Sequence, residues 1–154
     1  MTVQNLTDHC LSLYCQGKYK DCLAELEPSK LDKLAAQQRA EGYLLAATIK
    51  RELTDFTAAA DLLKKAQDAA KECGDSYLIL ETELVLNMVL ARLSRNQDQI
   101  KQLVHDSELL LNKVRLLERN DRYSKLYLSA LCELGLTKIF VPEVELAAQN
   151  FRLA

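Results

Sequence analysis

The chain has 154 residues, of which 49% are hydrophobic and 27% charged, and its formal net charge is −2. That balance fits one packed domain over residues 1–154 and excludes a disordered chain. With only 4 Gly and 2 Pro it lacks the turn residues of a sandwich or barrel, and without a basic stripe nucleic acid is a poor partner.

Good helix formers dominate, and the punctuation between them sets the expected elements. Residues 3–16 read as a first helix, which Gly17 stops; a second over 19–27 is closed by Pro28. Periodic apolar residues then run from about Leu31 to Leu53. Thr54-Asp55 supplies the next N-cap, and that helix ends at Cys73 before Gly74. Asp75-Ser76 opens a helix to Arg95, and Asn96–Asp98 breaks it from a long helix ending near Arg119. Asn120-Asp121 caps one running to Phe140, and Pro142 suits the first turn of a last. The expectation is an all-α fold of about eight helices, with connections so short that neighbours run antiparallel.

Two helices approach closely where both carry small side chains. Cys10 and Cys22 stand 12 residues apart, as do Ala47 and Ala59, and Gly135 and Ala147; Ala91 with Leu103 is a poorer pair. The first members fall 37, 44 and 44 residues apart, which marks a repeated helical hairpin. The hairpins predicted are 3–29, 31–73, 75–119 and 121–154.

This pattern resembles the tetratricopeptide repeat, whose hairpin carries Leu-Gly in its first helix and Ala-x3-Phe-x2-Ala in its second. Leu134-Gly135 with Ala147, Phe151 and Ala154 matches best, followed by Ala47 with Phe56, Ala59, Leu63 and Ala66. Cys10, Gly17-Lys18-Tyr19, Cys22 and Leu26 form the first unit, and Ala91, Ile100, Leu103 and Leu110 the third. The spacing exceeds the family's roughly 34 residues, so longer helices are implied. Lys50 and Lys138 stand where the family's first helix has Tyr. The resemblance implies a right-handed superhelical array of antiparallel hairpins, an α-solenoid, of which this chain could form the N-terminal part. It also implies a role as a protein-interaction scaffold or adaptor.

Candidates for chemistry are few. His9, Cys10, Cys15 and Cys22 lack zinc-site spacing, because adjacent His9 and Cys10 point to different helix faces; Cys10 and Cys22 read as packing residues. Cys15 and Cys132 have no adjacent base, since His9 is six residues from Cys15 and His105 reads as solvent-facing. Glu81/Glu83 and Asp106/Glu108 diverge around their helices and read as solvated faces. There is no phosphate loop or nucleophile elbow. The expectation is therefore no enzyme, no metal and no cofactor, with a helical enzyme of dispersed site as the remote alternative. An odd cysteine count without Cys-x-x-Cys argues against a disulfide framework. No signal pattern or apolar run of about 18 residues is present, so the expected compartment is cytosol or nucleus, with no membrane partner. On that expectation Asn5-Leu6-Thr7 is an accidental glycosylation pattern.

The resemblance places a binding groove on the first helices of the hairpins. Counted from the small positions, its stripe is Thr7, Leu11 and Tyr14; Leu44, Thr48 and Arg51; Met88, Arg92 and Arg95; Cys132, Leu136 and Ile139. The Lys and Asn of the family's carboxylate clamps are missing from it. Three arginines over a Leu/Met floor predict an acidic, apolar helix or extended peptide as partner. The alternative is a structural subunit of a larger assembly, joined through its C-terminal end.

Overall fold

The computed structural model describes residues 4–117 and 121–140. Its elements are α1 (Gln4–Cys15), α2 (Tyr19–Glu25), α3 (Pro28–Leu31), α4 (Ala36–Glu52), α5 (Phe56–Cys73), α6 (Ser76–Leu93), α7 (Gln97–Leu116) and α8 (Asp121–Phe140), with no strand among the described residues. The eight are not quite the eight expected. The helix expected to open at Pro142, with Ala147, Phe151 and Ala154, lies outside the described residues. Among the described residues the one-turn α3 stands where the sequence suggested only a break at Pro28.

Side-chain caps open α5, α6 and α7. Asp55 Oδ1 accepts the Ala58 N–H at 3.2 Å, Asp75 Oδ1 accepts from Tyr77 at 2.8 Å and Leu78 at 3.2 Å, and Asn96 Oδ1 accepts from Asp98 at 2.9 Å and Gln99 at 3.2 Å. Each such cap contributes ~1 kcal/mol. Gly74 closes α5 in the left-handed region at φ 71°, which a side chain there would strain. α6 stops at Leu93, two residues short of Arg95. Ser94 adopts extended backbone, its Oγ accepts the Asn96 N–H at 3.1 Å, and its hydroxyl lies 2.8 Å from Gln99 Oε1. Short polar side chains of this kind draw the backbone out of the helix.

From α4 onward each helix packs on its chain neighbours, and α4 also touches α6, as α6 does α8; α1 and α2 both reach α4. Four apolar clusters follow one another along the chain. The first joins Cys10, Cys22, Leu26 and Leu31 to Tyr43, Ala46, Ile49 and Ala66. The second packs Ala47, Ala59, Ala60 and Leu63 on Leu86 and Val89, and a smaller one holds Ala40, Ala69, Ala70 and Leu78. The last joins Leu84 and Met88 to Leu110, Leu111, Val114, Leu126, Ala130 and Leu134. α6 therefore buries apolar side chains on opposite sides, and its fully buried Thr82 returns its hydroxyl to the Leu78 carbonyl at 2.7 Å.

Two of the small-residue pairs sit where helices meet. Cys22 Sγ donates to the Cys10 carbonyl at 3.2 Å, both residues being fully buried, and Ala47 and Ala59 share one cluster with no exposure. Ala91 is buried and Leu103 only half-buried. The described residues do not include Ala147, so its pairing with Gly135 lies outside them. A close approach with no counterpart in the sequence reading occurs at Gly42: a Cβ there would stand 2.5 Å from Leu31 Cδ2, so the missing side chain is what seats α3 on α4.

Candidate functional site

α1, α4, α6 and α8 enclose a cleft of about 450 Å³. Its apolar lining is Leu11, Leu44, Leu45, Leu78 and Val85; Thr48, Ser129, Glu41, Arg51, Glu52 and Glu81 supply the polar part. A smaller cleft of about 210 Å³ shares Arg51, Glu81, Val85 and Ser129 with it and continues past Tyr77, Leu84, Met88, Lys125, Leu126 and Ala130. Thr48 donates its hydroxyl to the Leu44 carbonyl at 3.0 Å. Tyr77 Oη lies 3.4 Å from Glu81 Oε1, and its ring meets that of Tyr123 edge-on at 5.4 Å.

These linings bring together part of the predicted stripe. Leu11, Leu44, Thr48 and Arg51 line the larger cleft and Met88 the smaller, although Met88 is mostly committed to the α6–α7–α8 core. Tyr14 lies instead against Tyr19, with ring centroids 5.6 Å apart, and packs on the first core cluster. Burial first, and then the negative charge of Glu52, push its hydroxyl pKa above the usual tyrosine value. Cys132 is exposed on α8. The side chains of Thr7, Leu136 and Ile139 lie outside the described ones.

The three arginines do not form one row. Arg51 lines both clefts, but Arg92 sits over the Phe56 ring, 5.5 Å from its centroid, at the start of α5. Arg95 falls in the connection between α6 and α7, because α6 ends at Leu93; neither arginine lines either cleft. The larger cleft instead carries three carboxylates, Glu41, Glu52 and Glu81, against the single guanidinium of Arg51. Glu81, read as part of a solvated face, is a wall of both clefts.

The lining residues follow helical spacing. Glu41, Leu44, Leu45, Thr48, Arg51 and Glu52 fall on one stripe of α4, and Leu78, Glu81, Val85 and Met88 on one stripe of α6. The α4 stripe extends the predicted one by a turn. The α6 stripe lies toward the helix N-terminus from the predicted Met88–Arg92–Arg95.

Among the described residues no group of three or more His, Cys, Asp and Glu is placed to hold a metal ion. His9 and His105 are both exposed, and the five cysteines are unpaired by disulfides. Searches among protein-family models, curated proteins and solved structures each gave no match to the chain.

Proposed function

We propose that this chain is a non-catalytic protein-interaction module, built as a tetratricopeptide-like right-handed stack of helical hairpins, that holds a peptide or helix in the cleft between α1, α4, α6 and α8. The observation that carries this reading is the composition of that cleft. Five apolar side chains from three helices form its floor, and charged side chains from two helices rim it. Such a lining suits a protein segment, which offers apolar anchors and charges along one face. The contacts of α1 with α4, α4 with α6 and α6 with α8 support a stack laid down in chain order, with the groove on that side. Among the described residues no helix is long and apolar enough to cross a membrane. A cytosolic or nuclear setting accords with five free cysteines.

The test fills the cleft. Thr48→Trp and, separately, Leu11→Glu should leave helical content and melting behaviour near wild type, while removing partners recovered by affinity capture and mass spectrometry. Folded variants that keep the full wild-type partner set overturn the reading. A second reading, that the chain is a subunit of a larger assembly, is favoured by a group of exposed leucines on α7, its C-terminal end and α8. Leu116 is 80% exposed and Leu128 61%, with Leu109, Leu117 and Leu131 nearby in sequence and also exposed. On that reading Leu116→Lys with Leu128→Lys releases partners that the cleft variants retain.

A further inference from the structure

Resting on the groove reading above, we infer that the occupant of the cleft is a cationic amphipathic segment, with Leu-type anchors flanked by Lys or Arg at both ends of its contact with α4. Three carboxylates and one guanidinium line the larger cleft, leaving two negative charges over a floor of leucine and valine. Their placement is as informative as their number. Glu41 and Glu52 are 11 residues apart on α4, close to three full turns, so they share a face about 16 Å apart. Leu44, Leu45 and Thr48 lie between them, and Arg51 stands beside Glu52. A segment laid along this face meets a carboxylate, then an apolar stretch, then Glu52 with Arg51 next to it, and the two charges left over the whole cleft are negative. Glu41 accepts a neutral donor, Gln37 Nε2, at 3.2 Å, which leaves its charge uncompensated by that contact; Glu52 is exposed.

The adjoining cleft has the opposite balance, Arg51 and Lys125 against Glu81. Cationic groups on the occupant are therefore drawn to the α1–α4 end and repelled from the α8 end. Charged pairs at a rim govern selectivity and association rate, while the buried anchors govern residence. An acidic segment would place its carboxylates against Glu41 and Glu52, and like charges brought together at an interface are strongly disfavoured.

The probe is a phage-displayed library of random peptides of about 16 residues, long enough as a helix to exceed the Glu41–Glu52 span. It is panned against the full chain and against Thr48→Trp. The expected result is enrichment of Leu-containing peptides with Lys or Arg toward both ends. Their binding should weaken with added salt and drop by about tenfold in Glu41→Lys/Glu52→Lys. Re-panning on that double variant should enrich acidic peptides. Glu52→Gln alone, at an exposed position, gives a smaller loss in the same direction and serves if the double variant does not fold. Peptides lost on Thr48→Trp but acidic, or without charge preference, overturn the cationic occupant while sparing the groove. Peptides that bind wild type and Thr48→Trp equally, or no enrichment at all, overturn both.

Discussion

Thr54 carries a φ of 60°, in the left-handed region where a β-branched residue is strained. It stands just past the end of α4, where the Asp55 N–H reaches the Lys50 carbonyl at 2.8 Å and the Thr54 N–H that of Arg51 at 2.9 Å. This is the Schellman closure, whose left-handed position ordinarily takes glycine. Relief of the αL strain (about 1–2 kcal/mol) should outweigh the entropy glycine loses on folding, so Thr54→Gly should raise stability by roughly 0.5–1 kcal/mol in urea denaturation. Equal or lower stability would mean that the turn is held by Asp55 alone, through its cap on α5 and its 3.2 Å ion pair with Lys50. Tyr43 offers a test by pH. Its hydroxyl donates to Asp32 Oδ1 at 2.5 Å, and burial, followed by that hydrogen bond, pushes its pKa up to about 12. Ionisation is thus harder in the folded chain than in the unfolded one, where the value is about 10. The stability involved is fully present below about pH 10 and lost as pH rises through about 12. Comparison with Tyr43→Phe should show a stability gap that is constant to about pH 10 and narrows above it. A gap independent of pH would contradict the buried, hydrogen-bonded hydroxyl.

At the scale of helices, small residues carry the argument. Ala47 and Ala59 have no exposure and lie where α4 crosses α5, so Ala59→Leu should cost ~1–3 kcal/mol through overpacking, against little for an exposed site such as Thr57→Leu. Melting curves of the two variants check this, and an unshifted Ala59→Leu would remove the crossing from the account. This crossing was legible because alanine in a long apolar repeat has few other uses. The seat of α3 was not, since nothing about Gly42 in sequence says that Leu31 will lie over it. α6 was harder still. Its Ser76–Leu93 segment is apolar nearly all round, with Leu84 and Met88 serving one core and Leu86 and Val89 another. Periodicity then picks no single face, and a stripe counted from Ala91 landed on Arg92 and Arg95, away from Leu78, Glu81 and Val85.

For the molecule as a whole, the cleft is a property of stacking. α1 and α4 each carry a periodic stripe in sequence, which is why Leu11, Leu44, Thr48 and Arg51 could be named in advance. Which charged residues border a cleft depends on how far one helix slides along the next: Glu81 of α6 shares a cleft with Glu41 and Glu52 of α4, and another with Lys125 of α8, only through that offset. The same stacking sets an order of events during synthesis. α4 packs on α5, α5 on α6 and α6 on α7 as soon as each helix follows its neighbour out of the ribosome, because those contacts are local in the chain. The cleft needs both Leu11 on α1 and Ser129 on α8, so a nascent chain builds most of its core before the last wall of that cleft exists.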